Sequence, residues 1–254
     1  MIRASRSIVI SPPVRADWIA PDNPVIGWHN VLTPSMMVAD SEDLEHPASN
    51  VANGSTFLTW LSLSTDLQYL EFNLVPTSGD EPILVDYVAI ARHNLGSGHI
   101  SVAVEAQIDT TWTEVVSQRL MSHDGAVIFR FEPVALSKIR LRLHPLGETP
   151  VPPRIAVAYV GRILVLQRRI YVGHTPIVYG RKTQVSNGRS ESGNFLGRIV
   201  TNESLDTAFT ISNMNPAWYR QKLEPCLDVM KEFPFFFSWR PQSYPREVGY
   251  VWLT

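Results

Sequence analysis

Lys138-Ile139-Arg140-Leu141-Arg142-Leu143 alternates a cationic residue with an aliphatic one at every step. Successive side chains of a strand point to opposite faces, so this run reads as a half-buried strand, apolar inward and charged outward. Tyr69-Leu70-Glu71-Phe72-Asn73-Leu74 repeats the alternation with an acidic residue on its polar side. Working outward, residues 83–91, 100–106, 111–116, 126–131 and 155–160 carry the same period or short β-branched runs, separated by turn residues. Seven such strands within residues 36–161 predict a β-sandwich. No stretch there sustains a 3.6-residue period, and neither the dinucleotide nor the P-loop glycine fingerprint occurs anywhere in the chain.

The composition fits a packed protein. Of 254 residues 44% are hydrophobic and only 18% charged, a balance that disordered chains do not have. Apolar runs such as 163–166 and 233–237 fall far short of the roughly 20 residues that span a bilayer, so no membrane insertion is expected. The N-terminal residues lack the apolar stretch of a signal peptide. A single cysteine, Cys226, allows neither an internal disulfide nor a cysteine-based zinc site.

Charge divides the chain. Residues 1–160 hold 10 Lys and Arg against 17 Asp and Glu, a net of −7, whereas residues 161–254 hold 12 against 7, a net of +5. The C-terminal arginines stand singly among aromatics, without the basic runs or base-reading motifs of a nucleic-acid module, so no nucleic acid is expected as a partner. Arg supplies 18 of the 22 cationic residues, which suits fixed ion pairs at interfaces better than Lys would.

Before the sandwich, residues 11–34 carry Pro12, Pro13, Pro21, Pro24 and Pro34 with Trp18 and Trp28 between them. That density of proline argues against a helix or a central strand, so residues 1–35 read as an extended arm laid over its own chain or a neighbour. After the sandwich, residues 162–254 form a second β-rich unit. Its stretch 180–197 reads as polar and turn-rich, and 195–211 as a hairpin. Asn215 and Pro216 then open a helix over about 216–231, with Tyr219, Leu223, Cys226, Leu227 and Met230 on one face and Pro225 as a kink. Two strands follow, in 233–241 and 247–253. The last has apolar residues on both faces, which predicts burial on both sides. The fold class is therefore mainly β, a β-sandwich followed by a smaller β-rich domain with one α-helix.

Residues 36–161 resemble the galactose-binding-like, discoidin-type jelly roll. The resemblance lies in the order Ala48-Ser49-Asn50-Val51-Ala52-Asn53-Gly54-Ser55, then Trp60, the strand from Tyr69, the run Ile90-Ala91-Arg92-His93-Asn94-Leu95-Gly96, then Trp112 and the strand from Lys138. The glycine that the family places before the later tryptophan is missing from Asp109-Thr110-Thr111-Trp112. The resemblance implies a candidate ligand loop of Asn53, Trp60, His93 and Asn94 facing a cell-surface saccharide, with Asn50, Asn53 and Ser55 as oxygen ligands if a structural calcium is held. The same sandwich also serves as a passive building block.

The C-terminal unit resembles tail-tip structural proteins of long-tailed bacteriophages. The residues that carry this are Asn213-Met214-Asn215-Pro216-Ala217-Trp218-Tyr219-Arg220 and Phe235-Phe236-Phe237-Ser238-Trp239-Arg240-Pro241-Gln242-Ser243-Tyr244-Pro245, with Tyr250 and Trp252 beyond. The resemblance implies a distal-tail or baseplate component, made in the host cytoplasm and carried in the virion. It further implies a homo-oligomeric ring, a hexamer, contacting tail tube, baseplate hub and fibres. Trp218, Trp239, Arg240, Tyr244, Tyr250 and Trp252 form the assembly or core motif under this reading.

Chemistry is sparsely signalled. His93 has no second histidine or carboxylate at metal-ligand spacing and reads first as a hydrogen-bonded structural residue. Asp40-Ser41-Glu42-Asp43-Leu44-Glu45 lacks calcium-loop spacing and reads as solvated acids. No nucleophile elbow is present, and Cys226 falls on the apolar face of the helix. Neither an enzyme nor a cofactor or metal site is expected. The main expectation is a structural tail-tip subunit, with a carbohydrate-binding receptor module as the alternative and a polysaccharide hydrolase behind it, since a pair of distant carboxylates leaves no local motif.

Overall fold

A computed structural model describes residues 8–10, 22–75, 81–170 and 174–254. Trp18, Pro12, Pro13 and Pro21 of the expected arm lie outside the described residues.

The fold is mainly β, and the seven strands expected between 36 and 161 are all present. Sheet one orders β1 (Ile8–Ile10), β9 (Val127–Leu136), β6 (Ile83–His93), β11 (Arg154–Gly161) and β4 (Trp60–Leu61). Sheet two orders β3 (Met37–Ala39), β5 (Gln68–Asn73), β10 (Lys138–Pro145), β7 (Ile100–Ile108) and β8 (Thr111–Leu120). All neighbours are antiparallel except β1 and β9.

The alternation of Lys138–Leu143 does what it predicts. Ile139, Leu141 and Leu143 of β10 are fully buried between the sheets with Leu70, Phe72, Val102 and Val104. On the outer face Arg140 pairs with Glu105 at 2.6 Å and lies between the rings of Tyr69 and Trp112, 3.9 and 4.0 Å from their centroids. Arg142 bridges Glu105 and Glu114 beside it.

β6 behaves differently because both of its faces are covered. Val88 and Ile90 point into the sandwich, whereas Tyr87, Ala89 and Ala91 point out of it onto a third sheet. That burial explains why Tyr87–Ala91 reads as an apolar run instead of an alternation. Sheet three orders β12 (Leu164–Val165), β2 (Val25–Gly27), β15 (Phe235–Ser238) and β16 (Val248–Val251). Val25, Phe236 and Val248 face sheet one, and Ile26, Phe235 and Phe237 face a helix, α1, over 216–230. The described part of the protein is thus a stack of three β-layers closed by a helix.

This corrects the arm. Val25–Gly27 is a central strand, paired on one side with β12 and on the other with β15. The prolines do not prevent it, because Pro24 precedes the three paired residues and Pro34 follows them. Residues 25–27 ahead of the sandwich therefore belong to the sheet of the C-terminal unit, whereas Ile8–Ile10 pairs with β9 and Leu32 packs in the sandwich core. Gly27 makes the close approach possible: a Cβ there would stand 2.9 Å from the Tyr87 ring and 3.3 Å from Phe236 Cβ.

Helix α1 starts as expected, with the Asn215 side chain accepting from the backbone N–H groups of Ala217 and Trp218. Its middle turn, Tyr219–Leu223, is π-helical. Pro225 has no N–H to return to the preceding turn, and the wider turn absorbs that mismatch without ending the helix. Leu223, Cys226 and Met230 are buried against sheet three.

The 180–197 stretch is not a loop. β13 (Arg181–Arg189) and β14 (Phe195–Leu205) form a long hairpin that pairs with no other strand among the described residues. Its polar residues disguised it, because neither face is packed on a core to impose an apolar period. The last strand also differs from expectation. β16 is an edge strand that ends at Val251, so Trp252 is 68% exposed instead of buried.

Candidate functional site

The candidate ligand loop is brought together only in part. Trp60 on β4 and His93 on β6 both pair with Ile155 of β11, one on each side. Directly paired residues share a face, and here that face is the core. Trp60 is fully buried and its indole N–H donates to Ser41 O at 3.1 Å, so it offers no face to a sugar. His93 is buried as well. Its Nδ1 accepts from Leu95 N–H at 3.2 Å, which leaves the proton on Nε2, and Nε2 has no hydrogen-bond partner among the described residues. Burial lowers the imidazole pKa to about 4, with Asp124 partly opposing, so the ring is neutral near pH 7.

Asn94 is a staple. Its Nδ2 donates to Pro152 O at 2.9 Å and its Oδ1 accepts from Arg154 N–H at 2.8 Å, fixing the β6–β7 loop to the start of β11. Asp124 fixes the other side of that loop by accepting from Gly96 and Ser97 N–H at 2.8 and 2.9 Å. Burial raises its pKa, and the bonds from Ser97 and Gly96 outweigh that and hold it below the usual carboxylate range. Of the four loop candidates only Asn53 faces solvent. Its Oδ1 accepts from Ser55 N–H at 2.7 Å and its Nδ2 is free. Asn50 donates its Nδ2 to Thr59 O at 2.9 Å. Among the described residues no group of three His, Cys, Asp or Glu is placed to hold a metal.

The aromatic motif is an internal brace. Trp239 stacks on Tyr244 with centroids 5.2 Å apart and rings 5° from parallel, and its N–H donates to the Glu247 carboxylate. Arg240 reaches back to buried Asp22 at 2.6 Å, and Ser243 donates to the same carboxylate through its N–H and its hydroxyl. Burial pushes the Asp22 pKa up, and the Ser243 and Arg240 bonds more than offset it, so the carboxyl sits below its ordinary value. Tyr250 donates to Gly54 O at 2.8 Å, tying sheet three to the sandwich. Trp218 packs half-buried in the helix core, and Trp252 alone stands free of the brace. Asp22 and Glu247 had no sequence signal, since a lone acid becomes legible only through the partner that the fold brings to it.

The hairpin and a cavity remain as surfaces. Phe195, Leu196, Ile199 and Val200 of β14 are all more than half exposed. The cavity, about 250 Å³, opens where sheet three and the end of α1 meet the sandwich, and Asn53 is on its wall.

No protein-family model matches this chain, and no curated protein matches it. Among solved structures, chitosan-binding module 1 of a chitosanase/glucanase from Paenibacillus sp. IK-5 is 21% identical, covering 52% of this chain and 98% of the module, with a TM-score of 0.44. The family 32 carbohydrate-binding module of NanJ from C. perfringens, solved with galactose, is 20% identical over 55% of this chain and 99% of that one, with a TM-score of 0.42. The CBM32 of AlyQ, solved with 4,5-unsaturated mannuronic acid, is 18% identical over 53% and 96%, with a TM-score of 0.40. These modules are similar to about half of this chain, and the other half lies outside each match.

Proposed function

We propose that this chain is a non-catalytic structural subunit that assembles with copies of itself, as a tail-tip component of the distal-tail or baseplate type in a long-tailed bacteriophage. The observation that carries the reading is the hairpin of β13 and β14, which presents four large apolar side chains on strands that pair with no other strand among the described residues. A two-stranded ribbon of this kind is marginal in water by itself, and a second copy that covers it removes the exposed surface. The contact is heterologous and closes into a ring, a hexamer by resemblance. The three-layer stack gives that ring a stiff mount, with the sandwich fixed to sheet three by Tyr250 and Tyr87. Light scattering and electron microscopy of the purified chain test this: rings are expected, and replacing the hairpin by a short turn leaves monomers. A chain that stays monomeric at high concentration and is present once per virion sinks the proposal.

A second reading, saccharide recognition by the sandwich, is favoured by the accessible Asn53 beside an open cavity. The expected loop is a poor candidate for it, because Trp60 and His93 are core residues. Binding on a glycan array tests this reading, and the absence of any bound glycan overturns it.

A further inference from the structure

The cavity at the junction combines residues from parts of the chain that no isolated sandwich would hold together. Trp28 and Asn30 come from the segment after β2, Asn53 and Gly54 from the turn before β4, and Phe233 from the end of α1. None of its lining residues is charged. We propose that this cavity binds one neutral pyranose unit, a proposal that rests on the saccharide reading above and places its site away from the expected loop.

The chemistry follows from which polar groups are already engaged. Asn30 Oδ1 accepts from Leu32 and Val160 N–H, each at 3.2 Å, and Asn53 Oδ1 accepts from Ser55 N–H. The Tyr159 hydroxyl donates to Pro234 O at 2.8 Å, and Gly54 O receives Tyr250. These bonds hold the walls in place before any ligand arrives. What they leave over are donors: the Nδ2 groups of Asn30 and Asn53 and the indole N–H of Trp28, none with a partner among the described residues. Hydroxyl and ring oxygens of a sugar accept from such groups, and Gly54 O keeps a second lone pair for a sugar hydroxyl. Trp28 and Phe233 supply aromatic surface for the apolar C–H face of the ring, with Phe233 56% exposed at the mouth.

Charge and size narrow the class. An ionised sugar entering an uncharged, partly desolvated cavity loses hydration without gaining a counter-charge. The volume of about 250 Å³ lies below the roughly 300–1,000 Å³ of sites for larger ligands, so one ring fits and the remainder of a chain extends into solvent.

The test titrates the full chain with methyl glycosides of glucose, galactose, mannose and N-acetylglucosamine, and with glucuronate and glucosamine, following tryptophan fluorescence and side-chain amide NMR signals. At least one neutral glycoside is expected to bind, shifting the Asn30 and Asn53 amide signals. Asn53→Ala and the milder Trp28→Phe are each expected to weaken it about tenfold, a loss of one hydrogen bond or part of one stacking surface, with circular dichroism unchanged. If a neutral glycoside binds and neither variant weakens it, the location is wrong and the saccharide reading stands. If glucuronate or glucosamine binds more tightly than every neutral glycoside, the proposed class is wrong. If no sugar of the panel binds here and none binds on the glycan array, both fall.

Discussion

Asp22 and Arg240, 218 positions apart, meet through a guanidinium–carboxylate contact of 2.6 Å that closes the N-terminal segment onto the C-terminal sheet. Asp22 is 3% exposed, so its charge depends on Arg240 and on the two donors of Ser243. Arg240→Ala removes the one cation bonded to the Asp22 carboxylate among the described residues. A loss of about 2–4 kcal/mol is expected, toward the lower part of the range for broken buried pairs because Ser243 stays. Urea unfolding measures it, and a change below about 0.5 kcal/mol would show that the contact is incidental.

Acid should act through His93. Burial holds the folded imidazole at a pKa of about 4, against its ordinary 6.5. Between those values the unfolded chain binds the proton and the folded chain does not, so stability falls as pH drops from 6.5 to 4 and is flat above that window. The full effect is about 3 kcal/mol, less if the loop opens locally. Protonation also removes the Nδ1 acceptor of Leu95 N–H, so exchange at that amide should rise first. His93→Gln is expected to reduce the slope in this window without abolishing it, because burial also lowers the pKa of His29 and His123. Asp22 and Asp124, both held below their ordinary value, add a further loss only at lower pH.

The chain end separates two roles. Tyr250→Phe breaks the bond to Gly54 O and leaves a partly buried acceptor, with an expected cost of about 1–2 kcal/mol. Trp252→Ala should alter stability by less than about 0.5 kcal/mol, since its side chain is mostly in water. Thermal unfolding of the two variants in parallel decides the order. A reversal would mean that Trp252 is covered within the chain.

Phe195→Asp and Ile199→Asp place a carboxylate on the exposed hairpin face without touching a core. Each is expected to shift the light-scattering mass to monomer while the melting temperature of the monomer stays constant. Rings that persist in both variants would remove the hairpin from the assembly contact.

Alternation at Lys138–Leu143 and Tyr69–Leu74 was enough to determine two neighbouring strands of sheet two, because a strand with one wet face must write its geometry into every second residue. The Asn215-Pro216 cap and the period through Cys226 likewise fixed the start and the buried face of the helix. The hairpin and the central strand Val25–Gly27 were not legible in this way. The hairpin has no dry face, and three residues between prolines are too short to show a period. The site depended on tertiary structure for a related reason. Exposure of Trp60 and His93 is set by which sheet face they share with Ile155, and a one-residue shift of register would turn both toward solvent. The cavity walls come from positions 28–30, 52–54, 159 and 229–234, and only the packing of sheet three on the sandwich brings them together.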